Sequence, residues 1–283
     1  MSVTAPEVVQ TLSEEALCEL VPQHDGWIIG DDPATRSVFE AGKQGNLRAA
    51  VKWGIGVDNV DFGACKDLGI PIINTPNMFG AEVADIAMGY IIALARETFE
   101  IDRGVRDGQW PKPRGISLAG KTAALVGFGD IGQQTAKRML AADKKLIAYD
   151  PFASKSSALK AVERSNWPKR LEEADFIVVT CSLTQSSRHL VNSTVLDKVK
   201  PGVRLVNVGR GPVIDEPALE AALQNENVYA AALDVFEVEP LPAESYLRAH
   251  PRCILGSHNA SNTADAVART SEIAINTLAE FLS

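Results

Sequence analysis

The segment TAALVGFGDIGQQTAKRMLAA, residues 122–142, decides the fold class of this chain. An apolar run typical of a buried strand leads into a turn with three glycines, and apolar residues at helical spacing follow. In such a context Gly127 permits the tight turn, Gly129 lets the backbone approach a pyrophosphate, and Gly132 lets the helix pack on the strand. The segment therefore predicts a dinucleotide-binding Rossmann unit.

The start of that helix and the end of the next strand supply further contacts to a dinucleotide. The backbone N–H groups of Asp130 and Ile131 lie in the first helical turn, unpaired, and would face the phosphates. Asp150 ends the next strand about 20 residues after the glycines, which is the spacing of a carboxylate that binds the adenosine ribose. Because a carboxylate there accepts from both ribose hydroxyls and repels a 2′-phosphate, NAD is favoured over NADP. The structural alternative is a glycine-rich turn and a capping Asp with no ligand.

Short β-branched runs and longer helical patterns alternate along the whole chain. Strands that alternate with helices form parallel sheets, so the pattern predicts an α/β fold. The pattern over Glu82–Arg106 predicts one long helix, and the Gly- and Pro-rich residues 107–115 after it mark a domain boundary. The candidate strands are Gly26–Ile29, Ala50–Lys52, Ile70–Ile73, Thr122–Val126, Lys145–Tyr149, Phe176–Thr180, Arg204–Val208, Ala230–Leu233 and Cys253–Leu255.

Composition and charge exclude several classes of protein. The 283 residues are 46% hydrophobic and 23% charged, as in ordinary globular proteins, and the length suggests about two domains. A net charge of −8 makes nucleic acid an unexpected partner. The sequence shows no signal-peptide pattern, no apolar run of about 20 residues and no zinc-like cysteine spacing. We therefore expect a cytoplasmic protein with reduced cysteines, no metal and no membrane partner.

Polar side chains follow three candidate strands in the last third of the chain. Arg210 follows the strand that ends at residue 208, Asp234 and Glu239 follow the next, and His258 follows the last. Ligands of open α/β sheets bind beyond the carboxyl ends of the strands, so these groups are expected to converge where the glycine turn would hold a dinucleotide. The structural alternative is a set of unrelated cap and loop residues. The remaining histidines, expected at the surface, are His24, His189 and His250.

This combination of groups suits hydride transfer between a nicotinamide and a carbonyl. Reduction of a ketone produces an alkoxide that needs a proton, and imidazolium is the natural donor near neutral pH. We assign His258 as the acid/base and Glu239 as the carboxylate that orients it and favours its charged form. Arg210 is assigned as the clamp on a substrate carboxylate that also polarises the ketone. Asp234 is expected to accept from the nicotinamide amide.

Two loops near the beginning of the chain suggest an anion site. KWGIGVDN (52–59) follows one strand, and its glycines expose backbone N–H groups. NTPNMFG (74–80) follows the next strand and opens the long helix. Both loops could cover a substrate, which makes Lys52 and Asn77 candidate binding residues, but two ordinary strand-to-helix turns are an equal alternative.

Taken together, these segments resemble the D-isomer-specific 2-hydroxyacid dehydrogenases, which include phosphoglycerate dehydrogenases and glyoxylate/hydroxypyruvate reductases. The spacing of Arg210, Glu239 and His258 is similar to that of the catalytic triad of this family. The similar stretches run in the family's order and cover nearly the whole chain: KWGIGVDNVD (52–61), NTPNMFGAEVAD (74–85), GKTAALVGFGDIG (120–132), YDPF (149–152), VNVGRGPVIDEPAL (206–219), ALDVFEVEP (232–240) and SHNASNT (257–263).

The resemblance implies a particular domain arrangement. A Rossmann cofactor domain, residues 94–261, is inserted in a flavodoxin-like substrate domain, residues 1–93 and 262–283, and both domains are doubly wound around parallel sheets. The resemblance also implies NAD as cofactor and a homodimer. It places Val208 and Gly209 beside the cofactor, and the backbone of Ile55 and Gly56 on the substrate carboxylate.

The sequence departs from the family at points that bear on its substrate. The family normally has an extra strand and helix before the equivalent of residues 17–30, and Ser257 replaces its usual Pro before the catalytic histidine. Phosphoglycerate dehydrogenases tend to carry an Arg at the position of Gly30, although Lys52 keeps a positive charge in the next segment. The sequence thus predicts an NAD-dependent oxidoreductase that interconverts a 2-oxo acid and a D-2-hydroxy acid. The alternatives are a D-3-phosphoglycerate dehydrogenase and, in another class, a non-catalytic NAD(H)-binding protein or an inactive remnant of the family.

Overall fold

The computed structural model describes residues 2–8, 11–153 and 160–283, and it divides the chain into two compact units. The first unit comprises Met1–Phe79 with Thr263–Ser283, and the second comprises Gly80–Asn262. Each unit contains one parallel β-sheet. Among the described residues, no helix has the length and apolar character needed to span a membrane.

The first unit is built on a three-stranded sheet of order β1-β2-β3. Its strands are β1 (Gly26–Ile29), β2 (Ala49–Lys52) and β3 (Ile72–Asn74), and its helices are α1 (Glu14–Leu20), α2 (Arg36–Gln44), α3 (Phe62–Leu68) and, from the end of the chain, α10 (Ala264–Leu282). One core cluster contains Leu17 and Phe39 together with residues of the sheet. In a second cluster, Ala274 and Leu278 of α10 pack on Ala49 and Val51 of β2. The three strands end level with one another, because Ile29 pairs with Lys52 and Lys52 pairs with Asn74.

The second unit is built on a seven-stranded parallel sheet of order β10-β9-β8-β7-β4-β5-β6. Its strands are β4 (Thr122–Val126), β5 (Lys145–Tyr149), β6 (Val162–Arg164), β7 (Phe176–Val179), β8 (Val203–Asn207), β9 (Val228–Leu233) and β10 (Cys253–Leu255). Its helices are α4 (Gly80–Arg96), α5 (Thr98–Arg106), α6 (Asp130–Ala141), α7 (Ser193–Leu196), α8 (Glu216–Gln224) and α9 (Tyr246–Ala249). The central strands β4, β7 and β8 are buried except for the half-buried Thr122 at the start of β4, which is why they read as nearly continuous apolar runs.

The α/β fold with parallel sheets is confirmed, and the candidate strands form with bounds shifted by at most two residues at each end. The strand β6 was not among the strands predicted from the sequence. Its residues Val162–Arg164 are mostly exposed and pair on one side only, with β5, so they carry little hydrophobic signal.

The predicted single helix over Glu82–Arg106 is wrong, because the chain breaks at Glu97. This residue has a left-handed backbone, with φ of 57°, between α4 and α5. Its buried side chain accepts a hydrogen bond from the Tyr229 hydroxyl at 2.6 Å, and the Ala95 carbonyl accepts from the backbone N–H of Ile116 at 2.8 Å. Partners distant in the sequence therefore end the first helix.

Helix α4 lies in the second unit, where it packs on α6, β8 and β9. The predicted domains divide this helix at residue 93, whereas the structural division falls before Gly80. The apolar face of α4, which includes Ala84, Ala87 and Ile91, is buried. The assignment of cofactor and substrate to separate domains stays a prediction.

Candidate active site

The carboxyl ends of three adjacent strands bring the predicted polar groups to one edge of the large sheet. Asn207 at the end of β8 pairs with Leu233 at the end of β9, and Leu233 pairs with Leu255 at the end of β10. The chain segments that carry Arg210, Glu239 and His258 therefore leave the sheet side by side. Sequence reasoning predicted this convergence from the strand ends alone.

The side chains of His258 and Glu239 form a direct hydrogen bond. The imidazole Nδ1 lies 2.8 Å from Oε2 of Glu239, and because a carboxylate only accepts, Nδ1 carries the proton. The other carboxylate oxygen, Oε1, accepts from the backbone N–H of Phe236 at 2.9 Å. Both carboxylate oxygens are thus held, which fixes the plane in which the imidazole is oriented.

The backbone of His258 is held by Asp234, which ends the previous strand. His258 has a left-handed φ of 55°, and its N–H donates to the Asp234 carbonyl at 2.7 Å. Asp234 as a whole is only 3% exposed, and its carboxylate accepts from the N–H groups of Asn259 and Ala260. Burial, together with the nearby Asp234 carboxylate, raises the pKa of Tyr90 to about 12. Asp234 therefore anchors the loop that carries His258, and its contact with a nicotinamide amide stays a prediction.

The loop that carries Arg210 is braced by a residue that sequence reasoning missed. The buried Asn207 side chain accepts from the N–H of Gly209 and donates to the carbonyl of Arg210, each at 3.0 Å. A Cβ at Gly211 would overlap the backbone of Phe236, so the glycine lets this loop lie directly against the loop that carries Glu239. An Asn two residues before a glycine at a strand end was the available signal.

The three glycines of the turn differ in the space around them. A Cβ at Gly127, whose φ is 94°, would lie 2.6 Å from the backbone nitrogen of Cys181, and a Cβ at Gly132 would overlap the Gly127 carbonyl. By contrast, a Cβ at Gly129 would have no neighbour within 4 Å. Helix α6 begins directly after Gly129 without a side-chain cap. Two glycines are needed for packing, the third faces open space, and the helix start is available to an anion, so these residues fit a pyrophosphate.

The other predicted cofactor residues lie around this turn. One carboxylate oxygen of Asp150 accepts from the N–H of Phe128 in the turn at 2.7 Å, and the other accepts from the N–H groups of Phe152 and Ala153. A carboxylate offers about four acceptor positions, and these three N–H donors leave about one of them for a hydroxyl donor. Val208 is buried, and a Cβ at Gly209 would lie 2.7 Å from the Cys181 carbonyl oxygen, so Gly209 and the glycine turn both approach Cys181.

Asp130 and Ile131 begin α6 as the sequence predicts. The Asp130 carboxylate lies against the backbone of Gly80 at the start of α4, because a Cβ added to Gly80 would overlap it. Its negative charge is thereby placed at the positive end of a second helix.

The predicted substrate residues of the first unit lie at the carboxyl edge of the small sheet. The loop after β2 is fixed through Gly54, whose N–H donates to the Thr75 hydroxyl at 2.7 Å. Ile55 and Gly56 follow in this loop and are half-buried, and Asn77, with φ of 59°, is exposed. The Lys52 ammonium donates to the Gly30 carbonyl at 2.6 Å and lies 3.5 Å from Asp31 Oδ1.

Comparison with known proteins identifies what this arrangement belongs to. A family model described as "D-isomer specific 2-hydroxyacid dehydrogenase, NAD binding domain" matches residues 88–260. The hydroxypyruvate reductase of Thermotoga maritima is 39% identical over 264 residues, which are 91% of this chain and 85% of that protein. The D-3-phosphoglycerate dehydrogenase of Archaeoglobus fulgidus is 34% identical over 92% of this chain, which spans 50% of that protein.

Solved structures agree with these relatives. The TT0316 protein from Thermus thermophilus has a TM-score of 0.88 at 30% identity, with 96% of this chain and 87% of that chain covered. An NAD-dependent formate dehydrogenase from Staphylococcus aureus, solved in complex with NAD, has a TM-score of 0.84 at 28% identity, with 94% and 81% covered. This chain is therefore similar to the reductases over most of their length, and to the phosphoglycerate dehydrogenases over about half of theirs.

Proposed function

The chain belongs to the D-isomer-specific 2-hydroxyacid dehydrogenases, NAD-dependent enzymes that act on CH–OH donors, and we propose that it interconverts a small unphosphorylated 2-oxo acid and its D-2-hydroxy acid. The observation that carries this proposal is the hydrogen bond of 2.8 Å between His258 and Glu239. The loop that carries Glu239 packs against the loop that carries Arg210.

His258 is proposed as the group that exchanges a proton with the substrate oxygen. Because Nδ1 is turned toward Glu239, Nε2 is the nitrogen that delivers the proton to the alkoxide as the 2-oxo acid is reduced. The Glu239 carboxylate favours the imidazolium electrostatically and holds its orientation. In the oxidative direction the neutral Nε2 accepts the hydroxyl proton. Bound NADH supplies the hydride for reduction.

Arg210 is proposed as the residue that grips the substrate carboxylate. A guanidinium offers two parallel donors to a carboxylate and places positive charge beside the adjacent keto oxygen, where negative charge develops. The half-buried position of Arg210 and the Asn207 brace support this role, because a preorganised charge needs no rearrangement during the reaction.

The cofactor is proposed to lie along the carboxyl edge of the large sheet. Gly129 and the start of α6 would hold the pyrophosphate, and Asp150 would accept from the adenosine ribose. Val208, Gly209 and Asp234 lie farther along the same edge and are proposed to line the nicotinamide end.

The environment of Lys52 supports an unphosphorylated substrate. A phosphate group needs cations directed toward it, yet the Lys52 side chain is only 4% exposed and donates to the Gly30 carbonyl. Gly30 itself brings no charge. The names of relatives such as the Archaeoglobus enzyme favour D-3-phosphoglycerate as the second candidate substrate.

We propose that the enzyme is a homodimer and that it works in the cytoplasm. Large apolar side chains of α5 and of the segment after it are exposed, including Phe99 and Trp110. Their exposure supports a surface that a second copy of the chain covers. The four cysteines are free thiols, which supports a reducing compartment. Light scattering coupled to gel filtration tests whether the enzyme is a homodimer. A monomeric mass at assay concentration would contradict this proposal.

The test of the reaction is an NADH-oxidation panel with glyoxylate, pyruvate, hydroxypyruvate and 3-phosphohydroxypyruvate, with the product assayed for its D configuration. We expect turnover of the unphosphorylated acids, with kcat/KM for hydroxypyruvate above that for its phosphate ester. A strong preference for the phosphorylated acid would contradict the substrate assignment. NADH binding without turnover of any acid would support the non-catalytic alternative.

A further inference from the structure

A second His–Glu pair lies beside the first, and the glutamates of both pairs are on the loop after β9. The imidazole Nε2 of His189 donates to Oε1 of Glu237 at 2.5 Å, two residues before the Glu239 that holds His258. Both histidines have left-handed backbones, with φ of 51° for His189 and 55° for His258, a conformation that costs about 1 kcal/mol in residues with a Cβ. His189 was expected to be a surface residue, and its side chain is 43% exposed, although it also forms this hydrogen bond.

The backbone of His189 is attached to the loop that carries Arg210. Its N–H donates to the Pro212 carbonyl at 2.8 Å. Two residues later, Val191 donates to the Val213 carbonyl and accepts from the N–H of Asp215, which makes a short parallel bridge. His189 thus touches the Arg210 loop with its backbone and the Glu239 loop with its ring.

The backbone N–H groups of Phe236 and Glu237, just before Glu239, each hold a carboxylate. The N–H of Phe236 donates to Glu239, while the N–H of Glu237 donates to Oε1 of Glu216 at 2.5 Å. Glu216 begins α8, and burial, with the charges of Glu237 and Glu239 contributing, raises its pKa. Three carboxylates therefore crowd this loop, and a donor to one of them opposes their mutual repulsion.

From these contacts, we propose that His189 is a positioning residue, which through Glu237 holds the loop of Glu239 against the loop of Arg210. The inference rests on the proposed roles of Glu239, His258 and Arg210. Movement of the Glu237 peptide would carry the Phe236 N–H away from Glu239, and the orientation of the imidazole would relax with it. Since this orientation matters in the transition state, its loss lowers kcat more than it weakens the binding of substrate or cofactor.

The test compares His189→Leu, which removes the donor, with His189→Gln, whose amide nitrogen reaches about as far as Nε2. We expect His189→Leu to lower kcat about tenfold, with KM for the 2-oxo acid and Kd for NADH changed less than about twofold. His189→Gln should recover most of the lost kcat. The matched control is His250→Leu. His250 precedes β10 and so lies at the amino ends of the strands, away from the site, and this substitution is expected to leave kcat unchanged.

Glu237→Ala approaches the same contact from the other side and keeps the test valid if His189→Leu folds poorly. It should lower kcat to a similar extent, and the double variant should lose little more, because both changes break one interaction. The NMR signal of the His258 Nδ1 proton gives a readout independent of turnover. We expect it to be sharp in the wild type and His189→Gln, and broadened in His189→Leu.

Wild-type kcat with the panel of 2-oxo acids tests the proposed function, whereas the ratio of variant to wild type tests this inference. Unchanged kcat and an unchanged His258 proton signal in both His189→Leu and Glu237→Ala would overturn it. An equal loss in His189→Leu and His189→Gln would also overturn it, since a donor at the same reach would then not restore the position of Glu239.

Discussion

Replacement of Gly129 by alanine separates the folding role of the glycine turn from its role toward the cofactor. Gly129 has a φ of −73°, which alanine adopts readily, and its added methyl group would have no neighbour within 4 Å. We expect the free energy of unfolding without cofactor to change by less than about 0.5 kcal/mol, because a small gain from the stiffer unfolded chain offsets a slightly poorer helix cap. The same methyl group would occupy the space proposed for the pyrophosphate.

The matched comparison is Gly132→Ala in the same turn. Here the methyl group would overlap the Gly127 carbonyl, which is backbone and cannot rotate away. Overpacking of this kind costs about 1–3 kcal/mol, so Gly132→Ala should be destabilised without cofactor. For Gly129→Ala we instead expect the Kd for NADH to rise about 10- to 100-fold, which corresponds to about 1.4–2.7 kcal/mol of binding free energy.

Urea unfolding of the apoprotein and fluorescence titration with NADH measure the two quantities separately. The account requires a large affinity loss with intact stability for Gly129→Ala. Wild-type NADH affinity in this variant would show that the methyl group meets no cofactor, and would refute the position assigned to the pyrophosphate. Stability loss as great as in Gly132→Ala would refute the open space above Gly129.

Three further changes test other parts of the structure. Burial lowers the pKa of Lys144 from 10.5 to about 8, which corresponds to about 3 kcal/mol, partly offset by the contact of its ammonium with the Phe176 ring at 3.7 Å. Since the pKa of Lys144 is lower in the folded than in the unfolded state, the stability of the wild type should increase as pH rises from 8 to 10.5. Lys144→Met should remove this increase and stabilise the protein by about 2 kcal/mol at pH 7, as measured by urea unfolding. Asp150→Ser should lower the preference for NADH over NADPH about tenfold or more in kcat/KM ratios, because the repulsion of a 2′-phosphate is lost; an unchanged ratio would remove Asp150 from the ribose site. Lys52→Met should change kcat/KM for hydroxypyruvate and its phosphate ester by the same factor, and a selective loss for the ester would restore the phosphoglycerate alternative.

The features predicted from the sequence are those whose cause is local. The glycine turn was found because strand, turn and helix follow one another directly, and the strands of the large sheet because both of their faces are buried. The edge strand β6 and the break at Glu97 were not found. An exposed edge strand lacks a hydrophobic pattern, and the break depends on Tyr229, which is 132 residues away in the sequence.

The same distinction applies to the site. Arg210, Glu239 and His258 were predicted because strand ends of a parallel sheet share one edge. Asn207 and His189 were missed because their importance depends on what their side chains meet. The partner of His189 lies 48 residues further along, and a histidine in a polar stretch gives no indication of it.

The central claim is that His258 exchanges the proton with the substrate, and single-turnover stopped flow on His258→Gln tests it most directly. Mixing enzyme and NADH with hydroxypyruvate should give a hydride-transfer rate lowered about 100- to 10,000-fold, with the Kd for NADH close to that of the wild type. A rate within a few-fold of the wild type, at unchanged NADH affinity, would contradict the claim.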